Sequence, residues 1–349
     1  MNNMRNLISV LKIFSFVFLF MNKSYSQENK FTKRNKSARI IEYTADKCYS
    51  RSIVVKDSLL YIANSNGSLY ATHINSGRSY NILGSNKYEE LRDLAYINGF
   101  LTAMQSGTFG LLAQTDGKKF IKNIEPENGM WNKIFLDGMD FKDSIGFLMG
   151  DPIDSVFSLF KSKDYGQTWQ RCEGLLKAFD GEAGFAASGT NVQVLNDSTF
   201  VFISGGKKSR YFRSNDAGKT WSSSSLPYMA SETNGAFSIC MINDQEGVVV
   251  GGDYKNPDLC LNTCFYTDDG GEFWMNAKNQ TRGYRSCTLY KNGVLYACGS
   301  NGIDFSTDKG ENWKPFMNGT YMAMCTDNRY LYATMPNGKV QIFELISRK

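Results

Sequence analysis

Six charged side chains in the middle of the chain have the chemistry needed to act on a polar ligand. They are Asp137, Asp140, Asp151, Glu182, Arg210 and Asp253. Two or three carboxylates beside an arginine could bind a polar ligand, and a pair could serve as the acid and base of a glycosidase. The same side chains could instead satisfy backbone groups in irregular loops. We predict a ligand site from these residues and assign none of them a catalytic role.

The sequence predicts no cofactor and no metal. The chain has eight cysteines but one histidine, His73, and no pair of Cys-x-x-Cys motifs, so a zinc site is not expected. No glycine-rich dinucleotide motif follows a strand, and there is no haem or iron–sulfur ligand set. A redox protein is therefore only a remote alternative.

An eight-residue signature, Ser/Thr-x-Asp-x-Gly-x-x-Trp, occurs four times and contains four of the five tryptophans. Its Asp is suited to accept hydrogen bonds from the N–H groups that follow it, and its Gly to adopt a positive φ. Its Trp can bury a large ring between neighbouring units while the ring N–H finds a partner. We interpret the signature as a structural turn. Its fixed positions are Asp164, Gly166, Trp169, Asp216, Gly218, Trp221, Asp269, Gly271, Trp274, Asp308, Gly310 and Trp313.

A strand–turn–strand pattern precedes each signature and recurs in weaker form elsewhere, giving seven units in all. Each unit supplies four short strands of alternating polarity, which is typical of a propeller blade. The sequence thus predicts an all-β fold, a single seven-bladed β-propeller. The last unit is one strand short, and segment 39–43 is expected to supply that outer strand and close the ring.

The signature resembles the Asp-box, or BNR repeat, of sialidases and related β-propellers. The whole unit resembles the photosystem II stability/assembly factor family, whose members are seven-bladed Asp-box propellers. It is also similar to exported bacterial relatives of that family, often labelled oxidoreductase or glycosyl hydrolase, in segments 137–141, 150–152 and 181–185. The resemblance is clearest from residue 131 to residue 313. The resemblance implies the fold and a scaffold character; it does not imply a photosynthetic role.

The leading functional prediction is a non-enzymatic binding or assembly scaffold, with its ligand at the channel mouth near blades 3 to 5. The alternative is a sialidase-like or other glycoside hydrolase that uses the loop carboxylates. Sialidases should carry an Arg-Ile-Pro motif near the start, whereas the nearest match here, at residues 39–41, is Arg-Ile-Ile. Sialidases also use an arginine triad, and the sequence alone does not place Arg51, Arg210 and Arg285 as one.

The N-terminal segment predicts export to the periplasm or the medium. Residues 1–26 have the basic, apolar and small-x-small regions of a signal peptide, residues 27–37 form a flexible leader, and residues 38–349 the propeller. No later apolar stretch is long enough to span a membrane. For an exported chain we predict a disulfide between Cys260 and Cys264.

The net charge of the chain indicates which classes of partner are expected. The full chain carries a net charge of +5, and three of its positive charges lie in the signal peptide. The remaining charge is too small to favour nucleic acid. We expect a protein or glycan partner at one propeller face, and a monomer.

Overall fold

The computed structural model describes residues 38–84, 87–124 and 133–346. Within these ranges the chain forms thirty β-strands and no helix, arranged as seven sheets around a ring. This confirms the prediction of an all-β, seven-bladed propeller. The predicted signal peptide and leader lie outside the described residues. Because no described segment is helical, none forms a helix that could cross a membrane.

The first three blades each contain four antiparallel strands in chain order. Blade 1 consists of β2 (Ser50–Lys56), β3 (Leu59–Asn64), β4 (Leu69–His73) and β5 (Ser79–Asn81). Blade 2 consists of β6 (Glu90–Ile97), β7 (Phe100–Ser106), β8 (Leu111–Thr115) and β9 (Phe120–Ile124). Blade 3 consists of β10 (Leu136–Lys142), β11 (Ile145–Ile153), β12 (Val156–Ser162) and β13 (Gln170–Arg171).

Blades 4 to 6 follow the same order. Blade 4 consists of β15 (Val192–Val194), β16 (Phe200–Ile203), β18 (Arg210–Ser214) and β19 (Ser222–Ser225). Blade 5 consists of β20 (Asn234–Met241), β21 (Gly247–Asp253), β22 (Cys264–Thr267) and β23 (Met275–Asn276). Two short strands, β14 (Glu182–Ala183) and β17 (Gly205–Gly206), extend its sheet beyond β20. Blade 6 consists of β24 (Cys287–Lys291), β25 (Val294–Gly299), β26 (Gly302–Ser306) and β27 (Lys314–Met317).

Blade 7 is completed by the start of the described chain. It contains β28 (Met324–Thr326), β29 (Tyr330–Met335) and β30 (Lys339–Glu344), and its outer strand is β1 (Arg39–Glu42). Strand β1 pairs antiparallel with β30, with Ile41 opposite Val340. Segment 39–42 therefore occupies the outer position that the sequence predicted for it, and both ends of the propeller share one sheet.

The hydrophobic core lies between the blades. Each blade covers its neighbour, so strands in the middle of a blade are buried on both faces and carry continuous apolar runs. In β21, for example, Val248, Val249 and Val250 are all fully buried. The core clusters pair residues of consecutive blades, such as Leu112 of blade 2 with Leu148 of blade 3.

The four signature turns join the third and fourth strands of blades 3 to 6 and share one hydrogen-bond pattern. In blade 4, the Ser214 Oγ donates to Asp216 Oδ1 (2.9 Å) and accepts from the N–H of Gly218 (2.8 Å). The other end of the turn closes when Thr220 donates from its N–H to Oδ1 (2.8 Å) and from its hydroxyl to Oδ2 (2.6 Å). These hydrogen bonds lower the pKa of Asp216 to about 2. Gly218 has a φ of +79°, as the turn requires.

The signature tryptophans pack between their own blade and the preceding one. Trp169 lies in the blade 2–3 core and Trp313 in the blade 5–6 core. Both donate from Nε1 to the carbonyl of the signature glycine, at 3.2 and 3.1 Å. The prediction that each ring N–H finds a partner is wrong for Trp221 and Trp274, whose Nε1 atoms have none among the described residues. In those two copies packing holds the ring, against Phe147 and Phe202 for Trp221 and against Tyr211 for Trp274.

Candidate functional site

The ring has two unlike faces. The signature turns lie on the lower face, and the loops between the second and third strands lie on the opposite, upper face. The ligand was predicted at the channel mouth near blades 3 to 5. Long upper loops are present in blade 5, at residues 254–263, and in blade 4, at residues 204–209, but blade 3 has only a tight turn at Asp154 and Ser155, both with positive φ. Asp151 therefore lies on strand β11 rather than in a loop.

Four upper segments from blades 3 to 5 are joined edge to edge by backbone hydrogen bonds. The N–H of Lys207 donates to Gly181 (2.9 Å), that of Ser231 to Gly206 (3.4 Å), and that of Tyr254 to Thr233 (3.3 Å). These contacts connect segments 177–183, 204–210, 226–234 and 254–263 into one continuous area. We call this area the loop surface.

Several large apolar side chains are exposed on the loop surface. Phe179 is 58% exposed, Met229 57%, Tyr254 47% and Leu261 61%, with Leu259 beside Leu261 in the same loop. The loop that carries Tyr254 and Leu261 is held onto blade 6, because Asn301 donates to the Asp258 carboxylate (3.0 Å) and the N–H of Tyr284 donates to Pro257 (2.9 Å). Exposed apolar side chains on neighbouring, fixed loops are typical of a protein-binding surface.

Glu182 and Arg210, two of the predicted ligand residues, bind each other beneath the loop surface. Arg210 donates from Nε to Glu182 Oε1 (2.8 Å) and from Nη2 to Oε2 (2.7 Å). The Ser204 hydroxyl and the N–H of Phe179 also donate to this carboxylate, at 2.5 and 2.9 Å. The side chains are 0% and 11% exposed. The pair therefore fixes the loops from beneath and presents little of its charge to solvent.

The structure brings together a second predicted pair, Asp137 and Asp151. Asp137 lies on the innermost strand β10, is fully buried, and receives no N–H from any described residue. Its carboxyl faces that of Asp151, which accepts the N–H of Gly184 (2.9 Å). Burial, together with the neighbouring Asp151 carboxylate, raises the pKa of Asp137 well above its usual range. Burial also raises the pKa of Asp151. Both shifts favour the protonated form, so the pair tends to hold at least one proton.

The remaining predicted carboxylates are engaged in separate structural contacts. Asp140, also on β10, accepts the N–H of Val194 (2.7 Å) and so joins blade 3 to blade 4; burial raises its pKa to about 6. Asp253 accepts from the Thr233 hydroxyl (2.7 Å), from Asn256 Nδ2 (2.7 Å) and from the N–H of Lys255 (2.9 Å). The loop at Asp253 is therefore shaped by its carboxylate.

Sequence reasoning missed a segment that fills the middle of the ring. Residues 184–191, which we call the plug, connect β14 to β15 and contact four other blades. Phe185 stacks on Phe237 of blade 5 at 4.4 Å, and Ala186 accepts a hydrogen bond from Arg92 of blade 2. The Ser188 hydroxyl donates to Ser286 (2.7 Å), just ahead of β24 in blade 6. Contacts with blades on opposite sides of the ring mean that the plug crosses the axis and closes the channel.

Two glycines of the plug lie directly on buried carboxyls. A Cβ on Gly184 would lie 2.4 Å from Asp137 Cγ, and one on Gly189 would lie 2.0 Å from Asp93 Cγ. Asp93, on the innermost strand of blade 2, accepts from the N–H groups of Leu94 (2.7 Å) and Met139 (2.8 Å). Burial outweighs these hydrogen bonds and raises its pKa to about 8. The sequence signal for the plug is a run of small residues without charge, which resembles an ordinary linker.

The three arginines considered for a sialidase triad are held by three different carboxylates. Arg51 binds Glu90 (2.9 Å), Arg210 binds Glu182, and the fully buried Arg285 binds Asp304 from both Nε (3.0 Å) and Nη2. A carboxylate-binding triad needs free guanidinium donors directed at one point. This arrangement directs them at separate partners instead.

A pocket of roughly 290 Å³ opens on the lower face between blades 3, 4 and 5. Its walls are the lower ends of the innermost strands and the turns that follow them. They include Lys142, Gln193 and Asp244. Lys142 donates from Nζ to the carbonyl of Leu195 (2.5 Å). None of the six predicted ligand residues lines this pocket.

The predicted disulfide between Cys260 and Cys264 is wrong. All eight cysteines are free thiols. Strand β22 directs the Cys264 side chain into the core between blades 5 and 6, where Trp313 donates from Nε1 to its sulfur (3.0 Å). Cys260 is exposed in the loop. In residues 38–84, 87–124 and 133–346, no group of three or more His, Cys, Asp or Glu side chains is placed to hold a metal ion.

Comparisons with known proteins support the fold. The family model described as Sortilin-Vps10 (sortilin, neurotensin receptor 3) matches residues 158–296. No curated protein sequence matches the chain. Three of the similar solved structures are virginiamycin B lyase from Staphylococcus aureus, YCF48 bound to D1 peptide, and the WD40 β-propeller domain of Doa1.

The similarity to these structures extends over most of each chain. The lyase aligns with a TM-score of 0.64 at 13% identity, covering 89% of this chain and 99% of its own. YCF48 aligns at 0.61 and 12%, covering 88% and 97%. The Doa1 domain aligns at 0.59 and 10%, also covering 88% and 97%. At these identities the likeness establishes the propeller fold alone.

Proposed function

We propose that this protein is an exported, non-enzymatic β-propeller of the Asp-box type that binds a protein segment on its loop surface. The observation that carries the proposal is the set of exposed apolar side chains on four loops that backbone hydrogen bonds join into one area. Met229, Leu259 and Leu261 are aliphatic, which suits a protein partner better than a glycan. The regular hydrogen bonding of the four signature turns supports the assignment to Asp-box propellers of the photosystem II assembly factor type.

The buried carboxylates argue for a scaffold. The carboxyl groups of a glycosidase stand about 5 Å or more apart and reach the substrate. Here Asp137 is fully buried beside Asp151, and the Glu182 side chain is fully enclosed. The YCF48 structure contains a bound D1 peptide, which gives a precedent for peptide binding on this fold.

The test is partner capture from a cell-envelope extract with two matched variants of the mature protein. In the first variant Met229→Ser and Leu261→Ser remove apolar area from the loop surface. In the control Phe273→Ser and Tyr290→Ser remove exposed apolar side chains from the lower face, where they are 73% and 40% exposed. We expect a defined partner that the wild type and the control retain and the loop variant loses.

Two results would contradict the proposal. One is capture that the loop substitutions leave unchanged while the lower-face substitutions abolish it. The other is turnover of a fluorogenic glycoside, sialosides included, that disappears in a folded Glu182→Gln or Asp151→Asn variant. Cell fractionation tests the export part, since a protein found with the cytoplasmic markers would refute it.

A further inference from the structure

The upper end of the plug is held by a carboxyl pair, by the stacking of Phe185 on Phe237 and by the hydrogen bond from Arg92 to Ala186. Gly184 donates its N–H to Asp151 Oδ1 (2.9 Å), and its Cα lies against the Asp137 carboxyl. The plug itself, residues 184–191, contains no charged side chain. Its lower end has more partners: the Thr190 hydroxyl bonds Ser238 (2.6 Å), and the N–H of Ile239 donates to the Thr190 carbonyl (2.8 Å).

The charges around this pair come from two strands. Asp151 faces Asp137 from β11, within the same blade. Arg92 faces both carboxyls from β6, but its guanidinium already donates from Nε (3.0 Å) and Nη2 (2.7 Å) to Glu90 and from Nη1 to the plug carbonyl of Ala186. One arginine shared in this way can balance a single negative charge on the pair. A second charge in the same buried place would be repelled by the first and poorly solvated.

We propose that the plug is a proton-dependent closure of the upper channel mouth. With one proton between them, Asp137 and Asp151 stay in contact and Gly184 is held on blade 3. When that proton is lost to the solvent, the two carboxylates separate and Gly184 loses its contacts with them. Residues 184–187 then move away from blade 3, while Ser188 to Asn191 remain in place.

The opening would uncover an aromatic surface. Phe185 stacks on Phe237, and the Phe237 ring also meets Tyr284 edge-on at 4.8 Å. Both Phe237 and Tyr284 are buried in the closed state. Release of Phe185 therefore exposes two aromatic rings at the middle of the upper face. The closure does not depend on the partner proposed for the loop surface.

The raised pKa values of Asp137 and Asp151 are consistent with this mechanism and fix its direction. A carboxyl whose pKa is higher in the closed state than in the open one stabilises the closed state at low pH and loses that effect as the pH rises. If one proton leaves at each opening, the opening equilibrium increases about tenfold per pH unit between the lower pKa of the pair in the open state and its higher pKa in the closed state, and it levels off above the latter. Alkaline solution is thus expected to open the plug.

Hydrogen–deuterium exchange of the amides of residues 184–187 in the mature protein tests the closure. The protection factors are measured from pH 5 to pH 9 after correction for intrinsic exchange, with β25 as the reference strand. In the wild type we expect protection of the plug to fall with pH while β25 stays protected. In Asp137→Asn the side chain remains neutral, and plug protection should be independent of pH.

The proposal would be overturned if, in the wild type, the protection factors of residues 184–187 relative to those of β25 did not change with pH. An Asp137→Asn variant that shows the wild-type fall would overturn it as well. Asp151→Asn provides a second variant, because asparagine keeps an oxygen that can accept the Gly184 N–H and removes the second charge. It should abolish the pH dependence too, so the test does not depend on the folding of a single variant.

Discussion

Replacing Gly189 with alanine tests whether the plug is packed against the innermost strands as described. Gly189 has a φ of +76°, and an added Cβ would lie 2.0 Å from Asp93 Cγ and 2.1 Å from its nearer oxygen. The methyl group and the carboxyl cannot both stay in place. Asp93 must move away from the N–H groups of Leu94 and Met139, or the plug must leave its seat.

Gly99 provides the matched control for the cost of placing alanine at a positive φ. Its φ is +81°, and no atom lies within 4 Å of the position that a Cβ would take. Gly99→Ala therefore costs only the positive-φ strain, about 1 kcal/mol. Gly189→Ala adds overpacking of about 1–3 kcal/mol and a loss of hydrogen bonding at a buried carboxyl of about 1–3 kcal/mol. The expected difference between the two variants is thus about 2–6 kcal/mol.

Urea unfolding followed by tryptophan fluorescence measures this difference, because Trp169, Trp274 and Trp313 are buried between blades. We expect a much lower midpoint for Gly189→Ala than for Gly99→Ala, with similar slopes. If the free energies of unfolding of the two variants differ by less than about 0.5 kcal/mol, which is the size of error expected for independent sites, the plug does not lie on Asp93. The account of a closed channel would then fail with it.

Three further predictions follow from other parts of the structure. Trp169→Ala should lower stability by about 3–5 kcal/mol because its ring fills the blade 2–3 core, whereas Phe273→Ala, at the exposed position of another signature turn, should change the unfolding midpoint little. Glu182→Gln should cost about 3–5 kcal/mol because Arg210 is left without its buried partner; an unchanged midpoint would contradict the buried pair. In the native protein a thiol reagent should modify Cys260 first and spare Cys264. The protein unfolded without reductant should have eight free thiols, and a count of six would indicate that one disulfide forms.

The sequence was sufficient for the parts of the fold that are local. The signature turn is determined within eight residues, since the Asp216 carboxylate accepts hydrogen bonds from Ser214, Lys219 and Thr220 of the same turn. For the same reason its four copies predicted the blades, and their spacing predicted the ring. The missing outer strand of the last blade also indicated the role of segment 39–42.

Predictions that depend on side-chain direction were less successful. Cys260 and Cys264 are close in the chain, but the pleat of β22 turns Cys264 away from the loop and into the core. The sequence placed Asp137 and Asp151 in one candidate site without indicating that the two carboxyls are buried side by side, because their positions depend on how β10 and β11 pair across a bulge. The plug was missed because small, uncharged residues have no periodicity that predicts burial.

The loop surface and the plug suggest two separable uses of one face. The exposed apolar side chains lie on loops that backbone hydrogen bonds join to each other and that the Glu182–Arg210 pair fixes in place. Partner binding on these loops therefore needs no movement of the plug. If binding and closure are independent, Asp137→Asn should leave the pH dependence of partner capture unchanged. If instead the partner also uses Phe237 and Tyr284, capture by the wild type should strengthen as the pH rises and the plug opens, and Asp137→Asn should remove that gain. Comparing capture by these two proteins at pH 6 and pH 9 therefore decides whether the channel mouth belongs to the binding site.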